Sequence, residues 1–299
     1  MNSELAAGLL ACAELDSHPA VQRAAALAAG SVGAVTVTSK LREQIAVELL
    51  RILGKTDHTD AYLFDGVLRA IERCGKEGIS QLTAMASRSD HVQRELASEL
   101  FLALRTHEAA DGLDQLLTGD TSQFSEAQLG RLLTAYRHIV VRPSIDAAGV
   151  FTWLERNPDA PAVLQVTAWD TLGLIGGGKS PVVTNLTVKL RNWPDAEVRL
   201  SAIKAAGQLR VIAAARPLYD ALQDAQRSVE ERQEVIKSLA LLRAEDWPFD
   251  DRSDPGVELI LPELIAELDS WQEPQLIADA MWLVGQIDPG NAEPLAQQL

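Results

Sequence analysis

An all-α chain of about eight helical hairpins, stacked side by side as a solenoid, is predicted by three observations. Composition is the first: Ala and Leu supply 43 residues each of 299 whereas aromatics make up 5%, which favours close-packed helices over sheets. The second is a recurring pattern of an apolar residue, three residues, Ala, four residues and Gly. It reads Val21, Ala25, Gly30; Leu164, Ala168, Gly173; Val198, Ala202, Gly207; and Leu276, Ala280, Gly285, with a weaker copy at Gly66, Ala70, Gly75. At helical spacing these positions share one side. The third is a turn signal ahead of each copy that doubles as an N-cap: Asp16 to Pro19, Asp159 behind Asn157-Pro158, Asp195 behind Trp193-Pro194, and Glu273-Pro274.

Taken in order, the first hairpin pairs a helix near 4–15, its Leu5, Leu9 and Leu10 facing the core, with one near 18–32. Glu4 and the lack of Lys or Arg before it favour this helix over a secretory leader. Later hairpins pair 39–54 with 60–74, 77–88 with 90–104, 108–118 with 125–140, and 144–156 with 160–175. Then 180–191, carrying Val182, Val183, Leu186 and Leu190, pairs with 195–209, and 213–225 with 229–243. Last, 256–270, with Leu264, Ile265 and Leu268, pairs with 273–287, and 291–299 opens a further unit or a cap. The repeat Ala admits a neighbouring helix, and the repeat Gly suits a C-terminal turn at positive φ. Units over 90–140 depart from the pattern, with Phe101 or Arg105 where Gly is expected. The acidic, Pro-containing run 244–256 reads as an inserted loop. Because a lone hairpin cannot bury its apolar side, the whole of 1–299 is expected to form one stacked domain.

Pro181, Asp195, Val198-Arg199, Ala202 and Gly207 resemble the HEAT-repeat consensus, including the armadillo-like HEAT repeats named after phycobilisome lyases. The resemblance implies a right-handed α-α superhelix whose second helices line a concave groove, in a family made up mostly of binding scaffolds. Enzymes share that scaffold, so the likeness speaks to architecture.

Charge narrows the partners. With 27 Lys and Arg against 42 Asp and Glu the net charge is −15, which opposes DNA, RNA or an anionic membrane as the main partner. Most of the excess lies in 210–299, which holds 7 basic and 18 acidic residues. The longest uncharged window, between Arg23 and Lys40, has only 16 residues, too short and too polar for a membrane span. Cys12 and Cys74 form no CxxC and no disulfide framework, so a reducing cytoplasm is expected.

Motifs for chemistry are weak. Residues 173–180, Gly173 to Ser180 with Lys179, satisfy the P-loop spacing, yet a helical rather than a strand pattern precedes them and the repeat already explains Gly173. His18, His58, His91, His107 and His138 lack metal-ligand spacing, and His107-Glu108 is the lone His-Glu pair. The Asn185-Leu186-Thr187 sequon falls inside an expected helix, no GxSxG occurs, and Asp250-Asp251 lie in the loop. No catalytic residue, cofactor or metal is therefore expected.

Surface positions say more. Counted from each repeat Gly, positions −6, −3 and +1 form a stripe turned from the core. They are Arg69, Glu72 and Lys76; Thr167 and Asp170; Ser201, Lys204 and Gln208; and Asp279, Trp282 and Gln286. Trp282 stands out as an indole among polar neighbours, the type of residue that anchors interfaces, although it can equally cover a neighbouring helix. Trp193, Trp247 and Trp271 fall at turns, where they pack over loop backbone. The leading expectation is a non-enzymatic scaffold that binds a protein or peptide, favouring basic surfaces, along the concave stripe. The alternatives are an enzyme or enzyme subunit on the same scaffold, such as a lyase component or a DNA-glycosylase-like protein, or a spacer within a larger protein.

Overall fold

A computed structural model describes residues 2–35, 38–55, 60–88, 90–139, 147–175, 194–242, 257 and 260–290. Among them all longer regular elements are α-helices: α1 (Asn2–Leu15), α2 (Pro19–Val35), α3 (Ser39–Lys55), α4 (Ala61–Cys74), α5 (Lys76–Ala86), α6 (His91–Ala103), α7 (Glu108–Thr118), α8 (Glu126–Ala135), α9 (Ala148–Arg156), α10 (Ala162–Ile175), α11 (Ala196–Gln208), α12 (Ala215–Gln223), α13 (Val229–Ala240), α14 (Leu261–Glu267) and α15 (Pro274–Ile287). Each corresponds to an expected helix. The one expected over 180–191, the loop 244–256 and the terminal 291–299 lie outside the described residues.

Several helix starts are set by short polar side chains. The Asp60 carboxylate accepts from the Tyr62 and Leu63 amides at 3.0 and 3.1 Å, and that of Asp195 from Glu197 and Val198 at 2.9 and 3.1 Å. Ser125 and Gln128 form a reciprocal capping box at α8. Glu273 occupies the N-cap of α15 without a side-chain bond, leaving Pro274 to start that helix. Asp195→Ala is expected to lower stability by about 1 kcal/mol in denaturant titration, because two first-turn amides lose their acceptor.

The chain divides into two compact units, Met1–Arg142 and Pro143–Leu299. In the first, α1 packs on α2, α3 on α4 and α5 on α6, as hairpins should. First helices also stack on first helices, α1 on α3, α3 on α5 and α5 on α7, while α2 stacks on α4 and α6 on α8. In the second unit α9 packs on α10, α12 on α13 and α14 on α15. There α10, α11, α13 and α15 form one consecutive row of second helices. Such neighbour-on-neighbour contact gives each hairpin the apolar cover it cannot supply itself.

Two expectations change. Leu5 does not face the core of the first unit; it is 54% exposed, and Ala6 and Ala13 make the buried side of α1 instead. Small residues let α1 lie close to its neighbours. The repeat glycines are likewise not turn residues. Gly30, Gly173, Gly207 and Gly285 lie within helices, and among described glycines positive φ is confined to Gly75, at +62° between α4 and α5. At Gly30 and Gly207 the purpose is close approach: a β-carbon at Gly30 would lie 2.5 Å from Ala70 Cα, and one at Gly207 only 2.7 Å from Ser238 Cα.

Candidate functional site

Those close approaches set the register between second helices. Gly173 of α10 meets Ala205 of α11, two residues before Gly207, and Gly207 in turn meets Ser238 of α13. The residue of α13 equivalent to Gly207 is therefore Ala240. On the second unit, position −3 is thus Asp170, Lys204, Lys237 and Trp282 on four consecutively packed helices. Position +1 is Leu174, Gln208, Leu241 and Gln286. The sequence pattern missed Lys237 and Leu241 because α13 has no glycine to align on; the matching Ile203-Lys204 and Ile236-Lys237 pairs were the available signal.

This row presents apolar groups among polar ones. Trp282 is 50% exposed, Leu174 63% and Leu241 42%. Between them Lys204 is half-buried and makes no ion pair among the described residues, while Lys237 pairs with Glu234 at 3.5 Å. Asp279 accepts from Gln233 at 2.8 Å and Gln275 at 3.2 Å, tying α13 to α15. Thr167 turns its hydroxyl back to the Val163 carbonyl at 2.7 Å. Gln208 and Gln286 are exposed, the former with its amide laid against Gly173. Ser201 is a correction: it is 8% exposed, so the −6 position of α11 is buried rather than presented.

In the first unit the expected trio separates. Gly30 meets Ala70, so Glu72, not Gly75, takes the repeat-glycine place in α4, and Arg69 and Arg73 take positions −3 and +1. Lys76 is corrected outright: it begins α5 beyond the Gly75 turn and belongs to the first-helix row. Arg69 is bound to Glu72 at 2.7 Å and lies 3.6 Å from Asp65, and Glu72 also accepts from the Arg105 amide. Arg73 spans to α2, donating to the Leu27 carbonyl and the Ser31 hydroxyl. These side chains are engaged in bracing helices against one another.

The second unit also holds a buried ionic cluster near the N-terminal ends of α11 and α13. Glu231 is 4% exposed and accepts from Arg199 Nε at 2.8 Å and Nη2 at 3.2 Å, and from Arg227 Nη1 at 3.3 Å. Burial pushes its carboxyl up, but the hydrogen bonds from Arg199 and the charges of Arg199 and Arg227 outweigh that and hold it below the usual carboxylate range. Nearby, Arg232 donates to the Leu222 carbonyl and stacks over Trp271, 5.4 Å from the ring centre. Trp271 at its turn thus packs under a guanidinium. Such groups hold α11, α13 and α15 in place.

Gly173 to Ile175 complete α10, so the first P-loop glycine is helical, and Lys179 and Ser180 lie outside the described residues. His107 and Glu108 approach at 3.2 Å, and no group of three His, Cys, Asp or Glu among the described residues is placed to hold a metal. Within the same residues, no helix is long and apolar enough to cross a membrane. No protein-family model matches the chain, and no curated protein sequence does. Among solved structures it is similar to a crystal structure of an engineered protein, at 17% identity and a TM-score of 0.32 over 82% of this chain and 98% of the other, a likeness too low to argue from.

Proposed function

We propose that this protein is a non-enzymatic, HEAT-type interaction scaffold of the cytoplasm that binds a protein or peptide along the second-helix row of its second unit. One observation carries the reading: Trp282 stands half exposed at the same register position as Lys237, Lys204 and Asp170 on consecutively packed helices. Leu174 and Leu241 widen the apolar part, and polar Gln208 and Gln286 rim it. A large aromatic anchor within a polar rim is how recognition surfaces concentrate their energy. Long-range electrostatics favour partners with basic surfaces, since 210–299 carries 18 acidic against 7 basic residues. A nucleic-acid partner is disfavoured by the same sum.

The test is affinity capture from native lysate with the full chain, followed by calorimetry on what is retained. Trp282→Ala is expected to weaken binding by roughly 30-fold, as loss of an interface anchor does. Exposed as it is, Trp282 should leave the melting temperature nearly unchanged. Unaltered affinity for every captured protein would refute the assignment of this face.

A further inference from the structure

We infer that the first unit holds a second recognition site, a groove between α3 and the α5–α6 turn that takes a short peptide segment with a carboxylate beside an apolar side chain. The groove encloses about 400 Å³, at the small end of ligand pockets and suited to a few residues of extended chain. Its floor is apolar, made by Val47, Leu50 and Met85. Its charged lining is Arg51, Lys55 and Arg88, three cations and no carboxylate, on a chain whose net charge is −15.

The three cations differ in what they have left to offer. Arg51 is held by both oxygens of Glu14, at 2.9 and 2.7 Å, and by Glu48, so it is fixed in place with its charge matched. Lys55 touches Glu14 at 3.2 Å and remains 60% exposed. Arg88 is exposed, and its described side-chain bond goes to a neutral group, the Gln93 amide oxygen at 3.3 Å. Its backbone is steadied by Arg94, which donates to the Arg88 carbonyl at 2.7 Å. Arg88 is thus a guanidinium that no carboxylate among the described residues pairs with, and a carboxylate is its natural bidentate complement.

Two features favour an extended peptide over a small enclosed acid. Val47 is 42% exposed, so the apolar floor runs out onto open surface. Gln93, also in the lining, carries an amide that can exchange hydrogen bonds with a peptide backbone. An acidic and apolar segment would lay Leu or Phe across Val47, Leu50 and Met85 and its Asp or Glu on Arg88 and Lys55. This site uses none of the second-unit row and stands or falls separately from it.

The experiment measures fluorescence anisotropy of the full chain with capped hexapeptides that set Asp or Glu one, two or three residues from Leu or Phe. Controls are the Asn and Gln isosteres and free octanoate. At least one acidic peptide is expected to bind at or below about 1 mM, weakening about tenfold as its amide isostere and again with rising salt. Arg88→Glu should abolish binding. Gly54→Leu should block the groove sterically without lowering the melting temperature, because a β-carbon at Gly54 meets no atom within 4 Å and a helical glycine is replaced by a better helix former. Equal binding of acidic and neutral peptides, binding indifferent to both substitutions, no binding by any peptide, or octanoate binding as well as the best peptide would each overturn the inference.

Discussion

Glu231→Gln is expected to destabilise the second unit by about 3 kcal/mol near neutral pH, because Arg199 loses its hydrogen-bonded carboxylate and Arg227 keeps only the more distant Asp224, at 3.5 Å. Arg199 and Arg227 are 17% and 6% exposed in their side chains, so water cannot take over the lost charge. Ser228 still caps the Glu231 amide at 3.1 Å, which keeps the helix start intact and confines the effect to the side chain. The wild type should also show a matching pH dependence. A carboxyl whose folded pKa is depressed contributes stability that is fully present above its unfolded value, here 4.5, and is lost as pH falls through the folded value. Denaturant titrations from pH 7 down to about pH 3 should therefore show the gap between wild type and Glu231→Gln closing below about pH 4.5. A gap constant across that range would place the carboxylate outside the cluster. Glu95, which burial pushes up but the hydrogen bonds from Arg131 and Gln128 bring below the usual range, adds a component of the same sign in the first unit. Two transitions, one per unit, can appear in such curves, and only the second should move with Glu231.

Gly30→Val is expected to cost about 3 kcal/mol in the first unit, since the β-carbon would collide with backbone rather than with a movable side chain. Its neighbours at 2.5 and 2.7 Å are Ala70 Cα and Cβ, and neither can give way without parting α2 from α4. Gly8→Ala supplies the contrast. That glycine also lies within a helix, yet an added β-carbon meets nothing within 4 Å, so the change should stabilise by roughly 0.5–1 kcal/mol. Urea titration of the two variants side by side separates a packing role for Gly30 from a general helix penalty.

The helices were legible because their signals are local. Apolar spacing and a cap such as Asp195 act within one turn, and α7 begins and ends at the residues the pattern indicated, 108 and 118. What resisted reading was register between helices, which depends on contacts far apart in sequence. Gly75 has the right residue type for the repeat but serves a turn, so aligning on it displaced Lys76 into the wrong row and passed over Arg73. On α13 the contact is made by Ser238 against Gly207, and without a glycine to mark it the row lost Lys237 and Leu241. Ser201 was misplaced for a related reason: a small hydroxyl can sit on either side of a helix, and the exposed-stripe rule does not see the neighbour that covers it. The groove at Arg88 was invisible for the same cause, since its lining comes from three helices whose proximity no short spacing encodes.

The second-helix row rests on second helices lying against each other at small residues, and one engineered thiol tests such a contact. A β-carbon at Gly33 of α2 would stand 3.1 Å from the Cys74 sulfur of α4, the spacing that links a β-carbon to the far sulfur of a disulfide. Gly33→Cys in a Cys12→Ser background, oxidised while folded with a copper catalyst, should close one bond to Cys74. Burial pushes that thiol up to about 11, so closure should quicken with rising pH. Intact mass two hydrogen atoms lighter, with both thiols protected from alkylation and a 33–74 peptide link after digestion, is the predicted result. Two alkylatable thiols in the native protein after oxidation, or links only between separate chains, would contradict it.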